Sequence, residues 1–146
     1  MRLQGENDSQ KEAMKRILEN ENKNLEIKLH LKEDADLCMQ TSLFRNKLRE
    51  RVKMEDYLHE EEWKEIEEGI TAIYPDFLCR LQSIGELNKS EYRTCLLLKC
   101  HLSPSEIASL LNLTAGGISN IRRRLSQTIL RQSGSTSEWD QFIQAL

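Results

Sequence analysis

Glycine and proline are scarce in this chain of 146 residues, numbering six and two, and aromatic residues make up only 5%. So few turn formers exclude a β-sandwich built on many tight turns, a collagen-like repeat and a Pro/Gly-rich disordered chain. No apolar run approaches the roughly 18 residues that a bilayer-spanning helix needs. The N-terminal region also lacks the apolar core of a secretory signal. Cys38, Cys79, Cys95 and Cys100 form no CxxC pair and no paired-Cys/paired-His spacing, which removes a zinc site and fits reduced thiols in the cytoplasm. Cys100 and His101 are neighbours, and they read as a small apolar filler beside a loop histidine. The chain further lacks a paired-carboxylate site, a nucleophile–base arrangement and a phosphate loop, and His30, His59 and His101 sit in unrelated contexts. Neither an enzyme, a cofactor, a metal nor a small-molecule substrate is expected.

What is abundant is charge, 31% of residues, carried by strong helix formers (Glu, Lys, Arg) beside Leu and Gln. An all-α chain with a limited core follows. The formal charge of −3 argues weakly against nucleic acid, but it hides a division. Residues 1–87 hold 14 Lys/Arg and 20 Asp/Glu, a balance of −6, whereas residues 88–146 hold 7 and 4, a balance of +3. Between Asn88 and Arg131 the balance reaches +5. A small basic module attached to an acidic arm points to a nucleic-acid partner.

The arm reads as a long, polar, coiled-coil-like helix. From about Gln10 to Leu31 its sparse apolar positions are Met14, Leu18, Leu25 and Leu29, or alternatively Ile17, Asn24 and Leu31. Their spacing suggests a helix–helix seam of two to three heptads, interrupted by Glu21. Such a helix is unstable alone and needs a copy of itself or a second helix. Glu33-Asp34-Ala35-Asp36 is either a break or a charged helical turn. A second helical stretch is expected from about Leu37 to Ile73. Within it the basic run could touch phosphate, but Arg45, Lys47, Arg49, Arg51 and Lys53 alternate by two, which scatters them around a helix rather than on one face and favours solvated charges or intersubunit pairs. Tyr74-Pro75 ends this stretch, and Pro75 starts a short helix to about Ile84. Trp63, Ile66, Ile70, Phe77, Leu78 and Leu81 read as core.

The informative segment runs from Leu87 to about Leu130. Asn88 with Glu91 gives one helix start, and Ser103-Pro104-Ser105-Glu106 gives another with Pro at the first helical position. The second helix is two turns long and carries Ile107, Ala108, Leu110 and Leu111. Asn112-Leu113-Thr114 forms a tight turn, with Asn112 able to adopt the left-handed conformation, Leu113 plugging the turn and Thr114 capping a third helix. This is helix-turn-helix spacing, with a recognition helix at about 115–130. Ile118 and Ile121 return to the core. Thr114, Ala115, Gly116, Ser119, Asn120, Arg122, Arg123 and Arg124 are the candidate DNA contacts: small and polar residues first, for close approach to a major groove, then arginines for phosphates or a guanine edge. The helix start can hold a phosphate on free N–H groups. Gly116-Gly117 cost this helix about 1 kcal/mol each relative to alanine. A last short helix opens at Ser137-Glu138-Trp139-Asp140, after a joint at Gln132–Thr136. Its apolar side, Trp139, Phe142, Ile143 and Leu146, docks on the domain or a partner subunit, or serves as a peptide-like tail.

Leu102-Ser103-Pro104-Ser105-Glu106-Ile107-Ala108-Ser109-Leu110-Leu111, followed by Ile118-Ser119-Asn120-Ile121-Arg122-Arg123-Arg124-Leu125, resembles a LuxR-type or sigma-factor region-four-like helix-turn-helix. The wider stretch, about residues 58–131, is similar to the C-terminal module of bacterial regulators. Those regulators join a tetratricopeptide-repeat sensor, often a transmembrane helix, and a coiled coil to this DNA-binding domain. Trp63, Tyr74-Pro75-Asp76-Phe77, Leu81, Leu87, Glu91, Cys95 and Leu96-Leu97 carry the similarity. The resemblance implies a transcription regulator, here a fragment without its sensor. It would be cytoplasmic or the cytoplasmic end of a membrane-anchored regulator, with RNA polymerase or an upstream sensor domain as further partners. Gly116-Gly117 and the long N-terminal arm depart from the pattern. The expected organisation is a dimerisation arm over 1–56, then a linker bundle and helix-turn-helix domain over 57–146, with its core at 88–131. Duplex DNA is the expected ligand and a homodimer through the N-terminal helices the expected assembly. The alternative is a coiled-coil adaptor whose basic helix contacts an acidic protein.

Overall fold

A computed structural model describes residues 2–131 and 136–146, with side chains from residue 10 onward. Among the described residues the chain is all-α, with eight α-helices and no strand. It divides into two units, residues 1–37 and 38–146.

The first unit belongs to helix α1 (Arg2–Thr41). Glu33–Asp36 is a charged turn within this helix rather than a break. Every described side chain from Gln10 to Leu31 is exposed, including both alternative seams: Met14, Leu18, Leu25 and Leu29, and Ile17 and Leu31. A polar helix with a thin apolar stripe has nothing within its own unit to bury that stripe against.

The second unit takes in more chain than expected. The stretch foreseen as one helix over Leu37–Ile73 is broken twice. Ser42, in extended geometry, accepts the Arg45 N–H at 3.1 Å and thereby ends α1 and caps α2 (Leu43–Lys53). Glu55 then turns left-handed (φ 55°), and a 3-10 turn at Glu60–Glu62 leads into α3 (Trp63–Ile73). The compact second unit begins at residue 38, and within it α2 packs on a later helix, α6. Phe44 of α2 also lies against Gly69 of α3, where an added Cβ would come within 2.5 Å of its ring.

As expected, α3 ends before Tyr74-Pro75, and α4 (Phe77–Ser83) begins two residues later than the proline suggested. Then come α5 (Lys89–Lys99), α6 (Pro104–Leu111), α7 (Ala115–Thr128) and α8 (Thr136–Ala145). Thr94–Lys99 of α5 and Cys100 just after it are buried throughout, and α5 packs against α3, α6, α7 and α8. Around it lie Trp63, Ile66, Ile70, Phe77, Leu81, Ile107, Leu110, Ile118, Leu125, Trp139 and Ile143, all buried. Each large side chain removed from water here contributes about 1.5–3 kcal/mol.

The last helix docks on its own chain. Trp139 and Ile143 are fully buried, and α8 packs on α5 and α7. Lys99, itself 2% exposed, donates to the Gln144 carbonyl at 2.9 Å and lies 4.1 Å from the centre of the Tyr74 ring. Arg80 donates to the Leu146 carbonyl at 2.9 Å. Residues 132–135 of the expected joint lie outside the described residues.

Candidate nucleic-acid interface

The geometry of α6 and α7 follows from their caps. Ser103 accepts the Glu106 N–H while Glu106 Oε1 accepts the Ser103 N–H at 3.0 Å, and Pro104 occupies the first helical position. These contacts satisfy donors that a helix start otherwise leaves orphaned. The helix stops after two turns because Asn112 adopts the left-handed conformation (φ 55°, ψ 44°). The Leu113 N–H then reaches back to the Ala108 carbonyl at 2.9 Å, which closes the turn through the backbone. Leu113 itself is 41% exposed, so it does not plug the turn as expected. Thr114, extended, accepts the Gly117 N–H at 3.0 Å and starts α7. A Cβ on Gly117 would sit 3.2 Å from that Thr114 hydroxyl, whereas one on Gly116 would have ordinary clearance at 4.0 Å.

Ile118 and Ile121 face the core, as their spacing required. Thr114, Ala115, Gly116, Asn120, Arg123 and Arg124 are exposed, and Ser119 is half-buried. Gly116, Asn120, Arg123 and Gln127 recur at four, three and four residues, which aligns them on one outward stripe. Gln127 was missed by the sequence reading, although extending the same spacing by one step reaches it. Arg123 makes no ion pair among the described residues. Arg124 lies 3.7 Å from Glu91 and remains more than half exposed.

Arg122 departs from the expected set. It is 6% exposed, and its guanidinium grips Asp140 of α8 with both ends, Nε to Oδ1 at 2.8 Å and Nη2 to Oδ2. The physical reason lies in the helical period: Arg122 follows Ile118 by four and precedes Leu125 by three, so it falls on the buried stripe. Its pairing with Asp140 compensates the charge buried there. The same arithmetic, applied across the three arginines, separates one inward side chain from two outward ones.

Only one carboxylate occurs between Ser103 and Arg131, that of Glu106. Burial pushes its pKa up, but the Ser103 N–H and hydroxyl and the Arg49 guanidinium outweigh burial and hold it below the ordinary range. The surface of α6 and α7 therefore carries small polar groups, two arginines and a neutralised acid. The two buried thiols are chemically quiet: burial raises Cys95 strongly and Cys100 to about 12, the latter against the pull of Arg45. Among the described residues no group of His, Cys, Asp and Glu could hold a metal ion, and no helix is long and apolar enough to cross a membrane. No protein family, curated protein or solved structure matches the chain.

Proposed function

We propose that α6, the Asn112 turn and α7 form a helix-turn-helix that binds duplex DNA and serves a transcription regulator. The exposed stripe Gly116–Asn120–Arg123–Gln127 carries this reading. Short groups at the helix start let backbone approach a major groove, Asn120 offers a bidentate amide for adenine, and Arg123 reaches a guanine edge or phosphate. The Ala115 and Gly116 N–H groups at the helix start supply a further phosphate contact. Pairing of two chains through the exposed apolar positions of α1 would give two half-sites about 34 Å apart, or a multiple of that, and would strengthen binding through linkage. Fluorescence anisotropy with a mixed-sequence duplex tests the reading. Binding should weaken steeply with salt, and Arg123→Ala should reduce both affinity and the salt slope. Equal binding by wild type and Arg123→Ala would remove α7 from the interface.

A second reading is an adaptor whose basic helix contacts an acidic protein. The commitment of Arg122 to Asp140 favours it, because it leaves α7 with less free charge than its sequence suggests. Such an adaptor would show little salt-sensitive binding to duplex DNA.

A further inference from the structure

The basic run Arg45–Lys53 is sorted by the fold in a way that its sequence hides. Arg45 donates to the Cys100 and His101 carbonyls at 2.9 and 2.8 Å, satisfying orphan acceptors at the end of α5. Arg51 donates to Glu62 at 2.9 Å and to the Tyr57 carbonyl at 2.8 Å. Both are committed within the chain. Lys47, Arg49 and Lys53 remain exposed, and Arg49 and Lys53, four apart, share one ridge of α2.

That ridge is held beside α6. Arg45 fastens α2 next to the α5–α6 connection, and Arg49 Nε reaches Glu106 Oε2 in the first turn of α6 at 3.1 Å. Beyond α2, the Leu58 N–H meets the Leu110 carbonyl near the end of α6 at 2.8 Å. These ties make α2 run alongside α6 in the same direction. Exposed Ser105 and half-buried Ser109 of α6 add no charge to this neighbourhood. Arg49 also cancels Glu106, the acid that would repel a phosphate here, while its own side chain stays 48% exposed. Lys53 makes no pairing among the described residues. The exposed Glu50 lies about 100° around the helix from Arg49.

We infer that Arg49 and Lys53 of α2 form a second phosphate-binding ridge, extending the duplex interface of α7 across α6. The inference rests on the DNA reading above. In a helix-turn-helix the first helix crosses the nucleic-acid backbone, so a cationic ridge at its N-terminal turn borders the phosphates that pass it. The contact carries no sequence information and acts through counterion release, with a salt slope of about 0.9 per phosphate neutralised.

The test uses the full chain and a fluorescent mixed-sequence duplex, with anisotropy measured over a series of KCl concentrations. Lys53→Gln alone should flatten the log–log salt slope by about 1, at about 0.9 per contact, and Arg49→Gln/Lys53→Gln by more than that but by less than about 2, because Arg49 is shared with Glu106. Arg49→Lys, which keeps the charge, should retain the wild-type slope. Lys53→Gln breaks none of the hydrogen bonds or ion pairs that hold α2 in place, so the ridge is tested with those ties intact. An unchanged slope in the double variant, beside a reduced one in Arg123→Ala, would overturn the α2 ridge and leave the α7 reading standing. Salt-insensitive or absent binding by the wild type would overturn both.

Discussion

Arg122 shows how a single side chain changes role once the fold is built. It is the first of three consecutive arginines, yet it is anchored to Asp140 while Arg123 and Arg124 face solvent. Truncating either partner leaves a charge in a poorly solvated place, so Arg122→Ala and Asp140→Ala should each lower stability by about 2–4 kcal/mol, read from urea unfolding. Gly69 imposes a different constraint. Gly69→Ala forces a methyl into the Phe44 ring and should cost about 1–3 kcal/mol in the same assay. The four cysteines divide by burial. Exposed Cys38 and Cys79 should react rapidly with a thiol reagent in the native protein, and buried Cys95 and Cys100 only on unfolding. Rapid reaction of all four would contradict the buried core of α5. The residue types of this core were legible because apolar spacing marks a buried face; the partner of Arg122 was not, since an ion pair between α7 and α8 leaves no local spacing to read.

At the scale of elements, legibility follows local chemistry. The starts of α5, α6 and α7 and the left-handed Asn112 could be read because each cap is satisfied within a few residues of itself. The break at Ser42 offered a similar local sign, but an extended run of helix formers on both sides concealed it. Where α2 packs could not be read at all, because its contacts with the α5–α6 connection and with α6 span more than fifty residues of sequence. One substitution separates helix stability from function. Gly116→Ala has steric room and a better helix former, so it should stabilise α7 by up to about 1 kcal/mol. If the α7 backbone approaches DNA at this point, the same methyl should weaken duplex binding although the protein melts at a higher temperature.

For the molecule as a whole, ionisation sets limits at both ends of the pH scale. Glu106 and exposed Glu60 have lowered pKa values, the latter chiefly through its hydrogen bond to Arg93, so their stabilising contribution is present at neutral pH and is lost as pH falls through those lowered values. Tyr92 and Cys100 are raised to about 12, chiefly by burial, so the stability that their neutral forms retain is lost as pH rises from their ordinary values near 9 and 10 through 12. Thermal melts across pH should therefore show a plateau around neutrality that falls away on each side. Assembly, as proposed, would belong to the first unit. Its exposed apolar positions lead us to expect a dimer in sedimentation experiments, and Leu18→Lys/Leu25→Lys should shift it to monomer without unfolding the second unit. The central claim is that α7 reads duplex DNA, and selection from a random duplex library by the full chain tests it most directly. The account predicts enrichment of a defined motif by the wild type and loss of that enrichment in Arg123→Ala; an unenriched library, or the same motif selected by both proteins, would contradict it.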